Sequence, residues 1–210
     1  MFDTTISRRL GIVVAPFTAV MATLAISTPA VAQAEQFYFF EETASAFWSV
    51  PHQCADGSTV QATLLVLSTR DFESPDTEDA NPTARVQYQA VCSGSSFSWV
   101  GSALPATVTS TESLRSVTAT GSGTVRDNSG LTHQVTFDMA WTAVGPLETS
   151  VDENVSEGFS VNISTRKQRE ATADGRVTFD GTVLVDGPND HPTRPAPFIR
   201  TDEERTTRMP

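Results

Sequence analysis

The chain has 210 residues, with 14 basic and 25 acidic side chains, and a formal net charge of −11 at pH 7. A negative field of this size repels phosphate backbones and anionic lipid surfaces, which argues against nucleic acids and acidic membranes as partners. The length suits a single domain with a sizeable core.

The N-terminal segment has the order of a secretory signal peptide. Arg8 and Arg9 precede a mostly apolar run over residues 10–26, and small residues follow up to Ala34. We expect residues 1–34 to be removed, with cleavage after Ala32 or Ala34. The alternative, a retained membrane helix, is disfavoured because 17 residues are few for a span of about 20 apolar residues. The mature chain should be more acidic still, with a charge near −12.

The N-terminal segment also indicates the export route. An ordinary Sec signal explains the basic residues, and Ser7-Arg8-Arg9-Leu10 leaves twin-arginine export open. Lys167 is the only lysine beside thirteen arginines, a bias typical of GC-rich bacterial genomes. We therefore expect a secreted bacterial protein, without a stable membrane anchor after cleavage. Residues 201–210 are expected to form a polar tail behind a domain at 35–200.

Cys54 and Cys92 are the only cysteines, and both lie in the part expected to be exported. Outside the cytoplasm a lone pair most often forms a structural disulfide. The bridge would stabilise the domain by about 3–4 kcal/mol through loop-closure entropy. A redox pair or a metal site is less favoured, because the spacing is wide and few histidines are present. No metal and no cofactor are predicted.

Alternating apolar residues recur from position 60 onward, and no long window has helical spacing. Valine and threonine dominate these runs, and both suit a pleated surface. The first run, at residues 60–67, has weak alternation and is expected to be buried on both faces. The pattern predicts an all-β fold: one antiparallel β-barrel or β-sandwich of about eight strands, with the barrel favoured.

One hairpin can be predicted down to its register. Segments 114–126 and 132–144 are joined through Asn128-Ser129-Gly130, with glycine where a left-handed residue is needed. The expected partners, all on one face, are Val125 with His133, Gly123 with Val135, Gly121 with Phe137, Ala119 with Met139 and Val117 with Trp141. A slip of one residue would turn every side chain to the other face.

Three segments are expected to be loops, namely 71–82, 145–158 and 186–197. The first is acidic, and Asp71, Glu73, Asp76, Glu78 and Asp79 could supply oxygen ligands to calcium. The segment lacks the spacing and the glycine of a helix–loop–helix calcium site, so a solvated loop is the preferred interpretation.

Motifs for catalysis are scarce. The sequence contains no Gly-x-Ser-x-Gly elbow, no phosphate-binding loop and no His-Glu-x-x-His pair. Of the three histidines, His52 is expected in a loop and His191 in a turn. His133 is expected on an inward-facing strand position, where it could serve catalysis or bind a ligand, although a structural role is preferred. No catalytic residue is therefore assigned.

The aromatic residues have two interpretations. They could line an apolar ligand pocket if the fold encloses them loosely, or they could form the packed core, which is favoured. The leading hypothesis is a non-enzymatic extracellular or cell-envelope domain that binds a protein partner or a small apolar ligand. The alternatives are a secreted hydrolase that uses carboxylates with His133, and a structural surface protein.

Overall fold

The computed structural model describes residues 35–74, 82–156, 160–189 and 196–208. The predicted signal peptide, the distal part of the acidic loop with most of its calcium-ligand candidates, and the turn with His191 lie outside these residues. Within them, no helix is long and apolar enough to cross a membrane.

The described chain is almost entirely antiparallel β-structure, with one short 3₁₀ turn at Glu112–Leu114. The ten strands are β1 (Glu35–Gln53), β2 (Thr59–Ser74), β3 (Thr83–Cys92), β4 (Ser95–Ser110), β5 (Ser116–Asp127), β6 (Thr132–Ala143), β7 (Glu148–Ser156), β8 (Ser160–Phe179), β9 (Thr182–Pro188) and β10 (Phe198–Arg208).

Eight strands pair in a closed ring. The order is β1-β2-β3-β4-β5-β6-β8-β10, and β10 pairs again with β1. The predicted all-β antiparallel class is confirmed. So is the predicted disulfide between Cys54 and Cys92, whose Cα atoms lie 5.9 Å apart.

The long strand β8 has two neighbours along each edge. Its residues 160–170 pair with β10, and 160–168 pair with β7 on the opposite edge. Residues 171–179 pair with β6, and 174–179 pair with β9. Together with the pairings of β1 with β10 and β2, these contacts form a sheet whose strands, apart from β7, also belong to the ring: β7, the first half of β8, β10, the first half of β1 and the end of β2. We call this group the projecting sheet.

The ring interior is the hydrophobic core. Alternate residues of each ring strand point inward, and the largest of the fully buried side chains are Trp141, Leu64, Met139 and Ile199. Trp48, Tyr88, Trp99 and Phe137 are buried with them, so these aromatic residues form the core as the preferred interpretation required. In β2 the even-numbered residues 62–68 are buried and the odd-numbered ones between them are partly exposed, so the expectation of burial on both faces was wrong.

The β5–β6 hairpin has the predicted register at every expected pair, from Val117 opposite Trp141 to Val125 opposite His133. Gly130 has φ +88°, the left-handed conformation that the short loop requires. Loop chemistry and alternation were therefore enough to define this pair of strands.

All four predicted irregular segments contain strand residues: β2 runs to Ser74 inside 71–82, β9 runs to Pro188 inside 186–197, and two segments contain most or all of a strand. Residues 145–158, expected as a loop, include β7, and residues 201–208 of the expected polar tail belong to β10. Both strands lie in the projecting sheet, where polar residues occupy both faces. Alternating hydrophobicity therefore gave no signal for them.

The 3₁₀ turn between β4 and β5 closes part of one end of the ring. Leu114 is buried in the core, while its neighbour Ser113 has a left-handed backbone with φ 64°. Arg169 of β8 holds the turn by donating from Nε to the carbonyl of Ser113 at 3.1 Å. The same guanidinium donates from Nη1 to the carbonyl of Gly145 at 3.0 Å.

Candidate functional site

His133 lies at the opposite end of the ring, between two carboxylates. Its Nδ1 is 2.7 Å from Oδ2 of Asp180, and its Nε2 is 3.2 Å from Oδ2 of Asp127. The imidazole is largely buried, and its ring lies 4.4 Å from that of Phe179. The predicted inward-facing position is correct, and the structure adds two acidic partners that the sequence analysis did not identify.

Both aspartates are held by turns. Asp127 ends β5 and accepts from the N–H groups of Ser129 and Leu131 and from the Ser129 hydroxyl. Asp180, in the β8–β9 turn, has φ 48° and accepts from the N–H of Gln134 at 2.8 Å. His133 thus ties the β5–β6 hairpin to the β8–β9 hairpin.

These contacts shift the protonation equilibria in one direction. Hydrogen bonds from the Ser129 hydroxyl, and then from His133 and the turn amides, lower the pKa of Asp127 to about 2. The pKa of Asp180 is also lowered, chiefly by its hydrogen bond to His133. The pKa of His133 is raised, first by Asp180 and then by Asp127. The group favours an imidazolium between two carboxylates.

This arrangement limits what His133 can do chemically. A general base needs a free ring nitrogen within reach of the proton that it abstracts. Both nitrogens of His133 are engaged by carboxylates, and the raised pKa favours the form that cannot accept a proton. The geometry is that of a structural ion cluster.

An aromatic group lies beside this cluster. His52 belongs to β1 and not to a loop, so that expectation was wrong. Its Nδ1 is 3.0 Å from the hydroxyl of Tyr88, and its ring stacks on Phe97 with centroids 5.6 Å apart. Phe179 stacks on Trp99 at 5.2 Å and so joins this group to His133. Burial raises the pKa of Tyr88.

His52 also lies near both cysteine sulfurs, with the three ligand atoms within 4.8 Å of one another. The two sulfurs are bonded to each other, so neither is a thiolate that could bind a metal. In the oxidised protein this group closes the ring end and does not form a ligand set.

Neighbouring atoms fill the ring interior beside four inward-facing glycines, the positions where a missing side chain could have left space. Gly101, Gly121, Gly123 and Gly175 face inward, and a Cβ on any of them would lie too close to a neighbour. At Gly121 the neighbours are the carbonyl oxygen of Pro105 and the ring of Phe137; at Gly175 they are Met139 and the carbonyl oxygen of Asp138. Large side chains occupy the space that these glycines leave, so these parts of the interior offer no room to a ligand.

The exposed apolar residues are concentrated elsewhere. Among the described residues ten large hydrophobic side chains are exposed, and half of them lie in or beside β7: Val144, Leu147, Val151, Val155 and Ile163. Of these five residues, Ile163 also lines a groove of about 340 Å³, together with Tyr38 of β1 and Arg205 of β10. Half of the exposed large hydrophobic residues of the described chain therefore lie in β7, in the connection before it or on its neighbour β8.

The remainder of that sheet is strongly charged. On the face that continues the ring interior, Glu203 pairs with Arg205 at 2.6 Å and with Lys167 at 3.9 Å. On the opposite face, Asp202 pairs with Arg166 at 2.7 Å and with Arg200 at 2.6 Å. Strand β7 forms the margin of the sheet, and its two exposed valines stand among polar and acidic residues.

The chain matches no protein-family model, and no curated protein or solved structure is significantly similar to it. Function must therefore be argued from the chain's own surfaces.

Proposed function

We propose that this chain is a non-enzymatic, exported binding domain that takes up an extended segment of a protein partner along β7. The observation that carries the proposal is the coincidence, on one strand, of exposed valines and an unpaired backbone edge. Val151 and Val155 are each 61% exposed, and among the described strands β7 pairs only with β8. Strand addition to such an edge supplies main-chain hydrogen bonds, and alternate side chains supply specificity.

Two further observations support a protein partner over an apolar ligand inside the ring and over a hydrolase. Neighbouring side chains fill the interior beside the inward-facing glycines, which argues against a small apolar ligand held within the ring. The two carboxylates occupy both nitrogens of His133, which argues against a hydrolase based on that residue. The ring then serves as a rigid scaffold, and the predicted export places β7 where envelope or extracellular proteins could reach it.

The test is hydrogen exchange of the oxidised protein, alone and mixed with an envelope extract of the source organism. We expect the amides of residues 149, 151, 153 and 155 to become protected, because the even-numbered amides of β7 face β8, while the ring strands keep their exchange rates. The matched control is Val151→Pro, which removes one donor from the free edge. Protection confined to other strands, or equal protection of the neighbouring β7 amides in Val151→Pro, would contradict the proposal.

A further inference from the structure

The free edge of β7 has a defined set of available backbone groups. The carbonyl of Glu170 accepts hydrogen bonds from Val144 and Gly145 on one edge of β8, whereas the N–H of Ala171 donates to Pro197 on the other. The backbone N–H and C=O groups of successive residues point to opposite edges of a strand, so those of the even-numbered residues of β8 bond to β7. Their partners in β7 are also even-numbered, as in Asp152 opposite Ser164.

It follows that residues 149, 151, 153 and 155 turn their N–H and C=O groups toward the free edge. The same residues place their side chains on the face that carries Ile163, since Glu153 lies opposite Ile163 and Ile163 opposite Arg205. An incoming antiparallel strand must therefore bond to the odd-numbered residues of β7. The exposed Val151 and Val155 would lie beside it.

Strand β7 can pair with β7 of a second copy in one register that aligns most of its residues without placing acids opposite each other. Centring the pair on Asp152 or on Glu153 would set that acid opposite its own copy, and centring it on Ser150 would set Glu148 opposite Asp152. Like charges directly opposite each other destabilise a strand pair.

Centring the pair on Val151 avoids this. Val151 then faces Val151, Glu153 faces Thr149, Asp152 faces Ser150 and Glu148 faces Asn154. All odd-numbered residues lie opposite odd-numbered ones, as the free backbone groups require. A centre on Asn154 also avoids acid pairs, but it aligns only residues 152–156, whereas the centre on Val151 aligns 148–154.

We propose that two copies of this chain associate through β7 in an antiparallel pair centred on Val151. The proposal rests on the proposed function and names the partner segment. It joins two projecting sheets into one continuous sheet and covers the exposed valine at its centre. Because each copy carries a net charge of −11, association should strengthen as salt screens the repulsion between copies.

The register can be tested by single cysteine substitutions in the oxidised full chain, whose two native cysteines are already bonded to each other. Residues facing their own copy in a hydrogen-bonded pair have Cα atoms about 5.5 Å apart, within disulfide range. We expect Val151→Cys to form an intermolecular disulfide under mild oxidation. Asp152→Cys, Glu153→Cys and Asn154→Cys would each cross-link in a register centred on that residue. Each should cross-link at least tenfold less than Val151→Cys.

Val155→Cys is the matched control, because it replaces the same residue type with the same exposure on the same strand. In the proposed register it does not face itself. Dominant cross-linking at another position, or equal cross-linking at 151 and 155, would overturn the proposal.

Sedimentation equilibrium gives a second measurement without new cysteines. The wild-type chain should dimerise at about 100 µM, where a Kd of about 10 µM gives mostly dimer. Val151→Pro should be monomeric, with an unchanged melting temperature, because the N–H that it removes bonds to nothing within the sheet. A wild-type chain that is monomeric under these conditions overturns self-association. If envelope extract still protects the amides of residues 149, 151, 153 and 155 in that case, the binding role of β7 stands with a different partner.

Discussion

The packing of the ring interior can be tested at two glycines of β5 that face the same way. A Cβ at Gly121 would lie against the carbonyl oxygen of Pro105 and 2.5 Å from Cζ of Phe137, and neither can move without shifting a strand or an aromatic ring. A Cβ at Gly123 would meet the Cδ2 of Leu104 at 2.8 Å, the end of a flexible side chain. Alanine should therefore be costly at the first position and mild at the second.

The magnitude follows from this difference. Overpacking a filled core costs about 1–3 kcal/mol, whereas removing glycine freedom from the unfolded chain returns about 0.4–1 kcal/mol in both variants. The contribution from the unfolded chain cancels when the stabilities of the two alanine variants are compared. We expect Gly121→Ala to be less stable than Gly123→Ala by about 1–3 kcal/mol, which lowers the melting temperature by about 2–4 °C for each kcal/mol.

The assay is urea unfolding followed by tryptophan fluorescence, since Trp48, Trp99 and Trp141 are all buried in the ring. Ser122→Ala, on the exposed face of the same strand, controls for general effects of substitution in β5. Equal stability of the two glycine variants, with unchanged denaturant slopes, would refute the packing argument. It would also restore the case for a ligand inside the ring.

Three further predictions concern the ends of the ring. Because folding raises the pKa of His133, the protonated imidazole should stabilise the folded state fully below about pH 6.5, and this stabilisation should be lost as the pH rises through the pKa of the folded protein. His133→Gln should therefore flatten this part of a profile of melting temperature against pH. Replacing Cys54 and Cys92 by serine should remove about 3–4 kcal/mol of stability in urea, and a smaller loss would show that the unfolded chain is already compact. Arg169→Met should cost about 1–3 kcal/mol by leaving two carbonyls without their donor, and a differential-scanning measurement with no shift would contradict that role.

The strands β2 to β6 were predictable because each buries one face along much of its length. In β3 and β6 an apolar inward residue alternates with a polar outward one, and the Asn128-Ser129-Gly130 loop defines how β5 meets β6. The projecting sheet was not predictable by the same argument. In β10 nearly every residue is polar or charged, and its ion pairs form with β8 and within the strand itself, so no period of two appears in the sequence.

The His133 cluster was predictable only in part. The hairpin register places His133 inward, and Asp127 is six residues away across the same turn. Asp180 reaches it because β6 pairs with β8, a long-range contact with no local signature. The free edge of β7 was missed for a related reason, since its strand character depends on the neighbour that it pairs with.

The closure of the ring has a consequence for how the chain acquires its structure. β10, the last described strand, inserts between β1, the first, and β8. Until it does so, β1 and β8 each expose a long edge, the situation in which nascent β-proteins aggregate. Closure by contacts between strands so far apart in the chain is also slow. A chain secreted in the unfolded state would pass through this open form after translocation, whereas one exported already folded would not.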